Sequence, residues 1–155
     1  MVLVALHDTF SFGNEPEITI ECNPGTADAS KLVAYRSLGI NRISFGLQST
    51  DDRELRLLGR IHSFETFGET YAAARQAGFS NINIDLMSAL PGQTPESWRE
   101  TLNRVLALQP EHISAYSLII EEQTPFYEKY HADDERRAKG ERPRYLPSEE
   151  EEREM

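Results

Sequence analysis

The sequence has very little cysteine, since Cys22 is the only one among its 155 residues. A disulfide framework therefore has no second thiol, and a site built on three thiolates has no ligand set within these residues. Basic residues are also in the minority, with 16 Lys and Arg against 26 Asp and Glu. The net charge of −10 opposes binding to nucleic acid or to an anionic membrane surface. We expect small molecules or proteins as partners, and a reducing, cytoplasmic compartment.

Long hydrophobic runs are absent as well, so no membrane span is expected. The opening segment 1–6 is apolar, but it lacks a basic flank and is shorter than a signal-peptide core. This pattern favours an amphipathic helix over a secretion signal. Much of the acidic excess lies in residues 149–154, so the C-terminal segment, and not a binding site, dominates the net charge. The length fits one ordinary domain.

Four segments have the period-two alternation, or the β-branched and aromatic content, that is typical of strands. Apolar residues recur at helical spacing in the segments between them. The predicted strands are 17–22, 41–46, 81–86 and 112–120. Strands that alternate with helices predict an α/β protein with a parallel sheet, either an open doubly wound sheet or part of a β/α barrel.

Capping residues mark several of the predicted helices. Asp51 followed by Glu54 is typical of a capping box, and Thr94 before Pro95 is typical of a helix start. Further helices are predicted over 31–38 and from 64 to a stop at Gly78. The helix from Pro95 is expected to bury a stripe of Trp98, Leu102, Val105 and Leu106. Segment 133–144 is predicted to be an exposed helix or linker without a core, followed by a Glu-rich helix that starts near residue 146.

Four polar side chains lie at the ends of successive predicted strands or in the following loops: Glu21, Gln48, Arg60 and Asp85. Ligands of parallel α/β sheets bind at these ends, because the following loops converge there. Carboxylates accept hydrogen bonds from ribose hydroxyls or an ammonium group, an amide donates and accepts, and a guanidinium binds a carboxylate bidentately. The four groups therefore suit a zwitterionic nucleoside. The alternative is structural, with loop caps and ion pairs in place of a ligand, and spacing alone favours it.

Two further features allow both a functional and a structural interpretation. His62 lies beside Arg60, but a loop histidine with one backbone hydrogen bond is more common than a site residue. The turn 90–94 is placed to present backbone amides to a phosphate, although Pro95 removes one donor. The other histidines, His7, His112 and His131, predict no metal site.

Six sequence phrases follow one another in the order of a single family. They are I-T-I-E-C-N-P-G-T at 18–26, N-R-I-S-F-G-L-Q-S at 41–49, L-G-R-I-H-S at 58–63, N-I-D-L-M at 83–87, L-P-G-Q-T-P-E-S-W at 90–98, and E-H-I-S-A-Y-S-L at 111–118 with T-P-F-Y at 124–127. With these phrases the chain resembles, over about residues 17–130, the radical S-adenosylmethionine family of haem chaperones and oxygen-independent coproporphyrinogen III oxidases. The last phrase fits the chaperone branch better.

The resemblance implies the partial (β/α) barrel of this family, with about four strand–helix units and truncated at both ends. Residues 1–130 are then expected to form the partial barrel, and 131–155 an acidic linker and the start of a C-terminal domain. By the same resemblance, Glu21, Gln48, Arg60 and Asp85 fall on positions that contact S-adenosylmethionine. Ile119 matches a further contact near the adenine, made through its backbone and by packing.

The family's chemistry implies S-adenosylmethionine and a [4Fe-4S] cluster held by three cysteines. It also implies haem or a porphyrinogen as a further ligand, and haem-requiring proteins as partners. The chain departs from the family pattern, because the three-cysteine loop and a glycine-rich motif are absent and Ala89 stands where glycine is usual. We therefore expect that this chain binds no cluster, does not start the radical reaction, and binds S-adenosylmethionine weakly.

Three interpretations of function follow. The first is a fragment of a radical S-adenosylmethionine protein of haem or porphyrin metabolism, with the choice between oxidoreductase and chaperone left open. The second is a cluster-free β/α module that binds a nucleotide or a phosphate. The third is an inactive remnant, since half a barrel exposes an unpaired strand edge and an apolar sheet face.

Overall fold

The computed structural model describes residues 2–155, apart from the side chain of His7. Helices and strands alternate through most of the chain, as the sequence predicts. The elements are α1 (Val2–Thr9), β1 (Thr19–Cys22), α2 (Ala29–Ser37), β2 (Arg42–Gln48), α3 (Asp52–Leu57), α4 (Phe64–Gln76), β3 (Ile82–Ser88), α5 (Pro95–Leu106), β4 (His112–Ser117), α6 (Pro125–Ala138) and α7 (Glu149–Glu154). No helix among the described residues is long and apolar enough to cross a membrane.

The four strands form one parallel sheet in the order β1-β2-β3-β4, so each strand pairs with its neighbour in the sequence. A doubly wound sheet reverses its strand order at a switch point, whereas a β/α barrel adds its strands in sequence. Among the described residues the sheet is open, with β1 and β4 at its edges. The architecture is therefore part of a β/α barrel, which confirms the predicted fold class.

One face of the sheet is apolar and is covered by helices. Alternate residues of the two central strands form it, because successive side chains of a strand point to opposite faces. Ile43, Phe45 and Leu47 of β2 and Ile84 of β3 are fully buried on this face. The helices contribute the residues that pack against them, among them Leu32, Phe67, Ala74, Trp98 and Val105. This helix-covered face forms the hydrophobic core.

The other face of the sheet is polar, and the helices do not cover it. Glu21 of β1, Ser44 of β2 and Asp85 of β3 lie on it, each one residue away from a core side chain. The remnant interpretation expected an open apolar face, and for this side of the sheet that expectation is wrong.

The strands differ from the predicted ones mainly at their carboxyl ends. β2 continues to Gln48 and β3 to Ser88, whereas β4 stops at Ser117. The Leu118 amide still donates to the Ser88 carbonyl, at 2.9 Å, and the ladder ends there. Ile119 therefore lies in the loop beyond β4 and not at the end of the strand.

The predicted helix starts are mostly confirmed. Thr94 is the N-cap of α5 and shares a reciprocal capping box with Ser97, with Pro95 at the first turn. Asp51 caps α3 by accepting from the Arg53 amide at 2.7 Å. The predicted capping box is wrong in its second half, since Glu54 turns toward neighbouring loops instead. In α5, Leu106 is 57% exposed, so the buried stripe consists of Trp98, Thr101 and Val105 with Leu102 partly buried.

The C-terminal segment is not the exposed linker that its composition predicts. Tyr130 and Leu146 are buried, and the Asp133 carboxylate accepts from the backbone amides of residues 144, 145 and 146. Trp98 of α5 donates from its indole nitrogen to the Met155 carbonyl at 2.7 Å. A short helix, a buried carboxylate and a few apolar side chains thus hold this segment against the barrel. The boundary near residue 130 between a barrel and a further domain stays a prediction.

Candidate functional site

The polar face presents a row of side chains that the parallel register places opposite one another. Glu21 pairs with Ser44, Ser44 with Asn83, and Asn83 with His112 across the four strands. Two residues further along β3, Asp85 lies opposite Ser114 of β4. A parallel sheet in a complete α/β fold is usually apolar on both faces. A continuous polar row on one face marks it as a candidate ligand-binding surface.

Among the predicted site residues, Asp85 has its side chain held by two hydrogen bonds. Its Oδ1 accepts from the Asn83 amide nitrogen at 2.7 Å, and its Oδ2 accepts from the Ser44 hydroxyl at 3.1 Å. Each carboxylate oxygen thus has one donor from the sheet itself and retains a second lone pair. The carboxylate is half-buried, so the remaining acceptor positions are accessible from the open face.

Gln48 lies at the end of β2, where the ladder to β3 is irregular. Its φ of 75° is in the left-handed region, which is uncommon for a residue with a side chain. The Tyr116 hydroxyl donates to its Oε1 at 2.7 Å across the width of β3. A Cβ on Gly46 would lie 3.3 Å from the Gln48 Nε2, so the glycine gives this amide room to fold back over the strand.

Arg60 and Glu21 flank the same end of the sheet. Arg60 donates from Nη1 to the Asn23 side-chain carbonyl at 3.3 Å, and this oxygen lies 3.4 Å from the ideal Cβ position of Gly46. Arg60 therefore reaches the ends of β1 and β2, and among the described residues it forms none of the ion pairs that the structural alternative expected. Glu21 is exposed, and its carboxylate has no hydrogen-bond partner among the described residues. Both charged groups are available to a ligand.

The two remaining candidates lie apart from this cluster. Ile119 is 74% exposed in the loop after β4. His62 is buried, and its Nε2 lies 3.3 Å from the Leu47 carbonyl of β2. Burial lowers the pKa of this imidazole. His62 therefore has the structural role that is common for a loop histidine.

The loops at this end of the sheet are tied together by Glu54. Its carboxylate accepts from the Ser49 hydroxyl at 2.5 Å and from the Gln93 amide at 3.1 Å. Burial raises the pKa of the Glu54 carboxyl more than these two hydrogen bonds lower it. The contacts connect the loop after β2 to the loop after β3, and so fix the rim of the polar face.

The turn 90–94 does not offer a phosphate cradle. The Gly92 amide donates to the Tyr145 carbonyl at 2.8 Å, and the Gln93 amide donates to the Leu90 carbonyl at 2.9 Å. The Thr94 amide donates to the Ser97 hydroxyl at 3.0 Å. With these donors engaged, the turn gives no support to a phosphate-binding module.

Comparison with known proteins decides the family. The sequence profile of the Radical SAM superfamily matches residues 2–105, which include three of the four strands. The chain belongs to the Radical SAM superfamily. The match ends within α5, so it includes the polar row of β1, β2 and β3 but not Tyr116 or Ile119 of the β4 region.

Named relatives of this superfamily member are similar over most of its length. It is 42% identical over 111 residues to the haem chaperone HemW of Bacillus subtilis, an alignment that covers 72% of this chain and 29% of that protein. It is 39% identical over 126 residues to the mitochondrial radical S-adenosyl methionine domain-containing protein 1 of Mus musculus, covering 81% and 28%. The chain therefore spans a little under a third of the length of these relatives.

A solved structure gives the same result for the fold. The coproporphyrinogen III oxidase HemN of Escherichia coli, a radical SAM enzyme, superposes with a TM-score of 0.80 and 31% identity. The superposition covers 99% of this chain and 33% of that enzyme. Methylornithine synthase, at 18% identity and a TM-score of 0.66, shares the fold alone.

Membership implies S-adenosylmethionine and a [4Fe-4S] cluster as the family's cofactors, and the residues present fit only one of them. A cluster needs several thiolates, but Cys22 is the only cysteine and is buried on the core face. Burial raises the pKa of its thiol, whose Sγ donates to the Asn23 carbonyl at 3.6 Å. The described residues contain no group of three or more His, Cys, Asp or Glu side chains placed to hold a metal ion. The cluster therefore does not fit these 155 residues, whereas the polar face suits the nucleoside.

Several residues of this face were not among the predicted site residues. Asn23, Ser44, Asn83 and Tyr116 contact the predicted ones or lie between them. Strand alternation was a usable signal for part of this set, because Asn83 and Asp85 are two residues apart and share a face. Strand alternation could not have predicted the role of Tyr116, since its contact with Gln48 crosses an intervening strand.

Proposed function

We propose that this chain forms the nucleoside-binding wall for S-adenosylmethionine in a radical SAM protein of haem or porphyrin metabolism. The polar row on the open face of the barrel sheet supports the proposal most directly. Beside the row, Asp85 lies within β3, Gln48 ends β2, and Arg60 reaches the end of β1 through Asn23. Ligands of β/α barrels bind at the carboxyl ends of the strands. An apolar face would suit packing, whereas this one suits a polar, zwitterionic ligand.

Each residue has a role that its contacts support. Glu21 and Asp85 accept hydrogen bonds from ribose hydroxyls or from the ammonium group, since both carboxylates have free acceptor positions. Gln48 accepts from Tyr116 through Oε1, which leaves its Nε2 as a donor toward the ligand. Arg60 binds the ligand carboxylate in exchange for its long contact with Asn23. Ile119, exposed beyond β4, packs against the adenine.

The haem-chaperone branch is the better supported of the two biological roles. Relatives named HemW are 42%, 38% and 41% identical to this chain, in Bacillus subtilis, Synechocystis and Haemophilus influenzae. HemN, the oxidase, is 31% identical in the structural superposition. We propose a protein that handles haem or a porphyrinogen and passes haem to haem-requiring proteins. The radical reaction needs cluster thiolates that these residues do not supply.

Calorimetric titration of the 155-residue chain with S-adenosylmethionine tests the site. We expect weak binding, with a dissociation constant above about 10 μM, because only part of the pocket is present. Gln48→Ala and Asp85→Ala should each weaken binding further, and adenosine should compete. Glu69→Gln, an exposed change on α4 far from the polar face, is the control and should bind like the parent.

Two results would contradict the proposal. Absence of any binding at about 5 mM S-adenosylmethionine would overturn the nucleoside-binding role, since even weak contacts are detectable at that concentration. Binding that the Gln48 and Asp85 variants leave unchanged would place the ligand elsewhere. Submicromolar binding would contradict the expectation that the pocket is incomplete.

A further inference from the structure

Asn83 is a buried amide whose hydrogen-bonding capacity is fully used. It is 2% exposed and is the second residue of β3, on the polar face. Its Nδ2 donates to the Asp85 Oδ1 at 2.7 Å and to the Ser44 hydroxyl at 3.0 Å. Its Oδ1 accepts from the Ser114 hydroxyl at 3.1 Å and also contacts the His112 Nδ1. Two donors and two acceptor positions are the whole inventory of an asparagine side chain.

The contact with Asp85 decides which way the amide points. A carboxylate only accepts hydrogen bonds, so the NH2 group must face Asp85 and Ser44, and the carbonyl oxygen must face β4. With the oxygen there, the Ser114 hydroxyl and the His112 Nδ1 are its donors. A flipped amide would set its oxygen against a carboxylate oxygen, so Asp85 sets the orientation of Asn83 and the two residues of β4 hold its Oδ1.

The contacts at Nδ2 fix the Asp85 carboxylate in turn. Asn83 holds Oδ1, and the Ser44 hydroxyl, which itself accepts from Asn83, donates to Oδ2. The three side chains form a closed hydrogen-bonded ring across β2 and β3. Rotation of the carboxylate about its Cβ–Cγ bond would break both of its contacts. The lone pairs that remain therefore point in fixed directions at the open face.

We propose that Asn83 is a positioning residue that orients the Asp85 carboxylate for S-adenosylmethionine, with Ser44 completing the ring and with His112 and Ser114 holding Asn83. The inference deepens the proposed function and rests on it. A carboxylate held before the ligand arrives loses little rotational freedom on binding, which is the usual source of affinity from preorganisation. The role extends the site to residues that make no contact with the ligand.

A purely structural role would not explain the polar network of Ser44, Asn83 and Asp85, because apolar side chains would stabilise the sheet more. The neighbouring residues on the opposite face, Ile84 and Phe45, are apolar and fully buried. Polar networks inside a protein contribute little net stability when they replace apolar packing. The network also lies on the uncovered face of the sheet. Its position next to Asp85 therefore fits a binding role better than a stabilising one.

A double-mutant cycle on S-adenosylmethionine binding tests the inference in the 155-residue chain. Asn83→Ala should weaken binding about tenfold, the lower end of the loss found when outer-shell partners of metal ligands are removed. In the Asp85→Ala background the same substitution should change binding less than about twofold, because the group that Asn83 orients is gone. A merely structural asparagine would lower binding equally in both backgrounds.

The control removes a buried hydrogen bond of β3 that does not touch Asp85. Ser88→Ala breaks the contact of the Ser88 and Ser117 hydroxyls, at 3.3 Å, and should leave the affinity unchanged. Urea unfolding of each variant separates loss of fold from loss of binding. Where Asn83→Ala fails to fold, Ser44→Ala replaces it, because it removes the donor to Oδ2 and one acceptor of Asn83 but keeps the contact of Asn83 with Oδ1.

Nuclear magnetic resonance supplies a readout that needs no ligand. Both Nδ2 protons of Asn83 should exchange slowly with water, and one of them should exchange faster in Asp85→Ala. Fast exchange of both protons in the parent chain would overturn the network itself. Binding of S-adenosylmethionine with no coupling between Asn83 and Asp85 would overturn the inference and leave the proposed function intact. No binding at all would overturn the proposed function and this inference together.

Discussion

The two faces of the barrel sheet are built from the same four strands and have opposite properties. The helix-covered face carries Ile43, Phe45 and Ile84, all fully buried. The open face carries Ser44, Asn83 and Asp85, one residue out of phase with them and joined by hydrogen bonds. Apolar packing is thus concentrated on one side of the sheet and the hydrogen-bonded polar network on the other.

This division shows that the two faces of one sheet contribute unequally to stability. Apolar burial contributes about 25 cal/mol per Å2, whereas an exchanged hydrogen bond contributes little net stability. Polar side chains on the open face can therefore change with little effect on the fold, and apolar ones on the core face cannot. Five substitutions test or sharpen this contrast, from the largest expected effect to the smallest.

Phe45→Ala should destabilise the chain by about 3 to 5 kcal/mol, because it leaves a cavity in the core. The ring packs edge-on against Phe67, with centroids 5.9 Å apart, and near Tyr71 at 6.4 Å. Ser44→Ala, the neighbouring residue on the open face, should cost about 1 kcal/mol. Urea unfolding measures both. Equal losses at the two positions would break the contrast between the faces.

Asp133→Ala identifies a polar group that does stabilise the fold. Burial raises the pKa of its carboxyl, but the three backbone N–H donors of residues 144–146 outweigh burial, and the net pKa lies below the usual value. The loss should be about 1.5 to 3 kcal/mol at pH 7.

The pH dependence of this loss gives a second check. A lowered folded-state pKa contributes stability above the ordinary value of about 3.9, and this stability is lost as the pH falls through the folded pKa. The difference between the parent chain and Asp133→Ala should therefore be constant from pH 7 to about 5 and shrink below about 4. A stability difference between the two proteins that grows below pH 4 would contradict a lowered pKa for Asp133.

Tyr116→Phe should separate binding from stability on the open face. The ring is 43% exposed, and the hydroxyl makes one hydrogen bond, to Gln48. We expect a change in the free energy of unfolding of less than about 1 kcal/mol and an S-adenosylmethionine affinity about threefold weaker. Calorimetric titration and urea unfolding of the same sample measure the two effects. A large loss of stability with unchanged affinity would show that the Tyr116 hydroxyl stabilises the fold and does not support binding.

Glu54→Gln should have the smallest effect on the free energy of unfolding. It should stabilise the protein at pH 7, whereas Asp133→Ala should destabilise it. Because burial raises the folded-state pKa, this carboxyl contributes stability below about pH 4.3 that is lost as the pH rises through the folded pKa. The neutral variant should therefore gain stability relative to the parent between pH 4 and 7, by less than about 1 kcal/mol, since the group is only partly buried. Thermal unfolding at both pH values measures the change. A variant that is less stable than the parent chain at pH 7, compared with pH 4, would contradict this prediction.

Local patterns predicted the elements better than their ends. Thr94, Pro95 and the alternation of β2 specify their own backbone conformation, so the helix start and the strand are confirmed. The extension of β2 to Gln48 was not predictable, since it follows from the pairing of Gln48 with Leu86 of β3 after a shift in register. Composition was misleading after residue 123, because one buried carboxylate with three amide donors holds a segment that otherwise has the charge content of a linker.

The sequence by itself determined the α/β order, the core face of each strand and the identity of the strand-end groups Glu21, Gln48 and Asp85. These follow from residue periodicity and from the family phrases, which are local properties of the chain. Only the tertiary structure decided that Asn83 joins Ser44 and Asp85 in one network, and that Arg60 turns to Asn23. The physical reason is register, since a parallel sheet brings together residues that lie about 40 positions apart, and no local pattern encodes which of them meet.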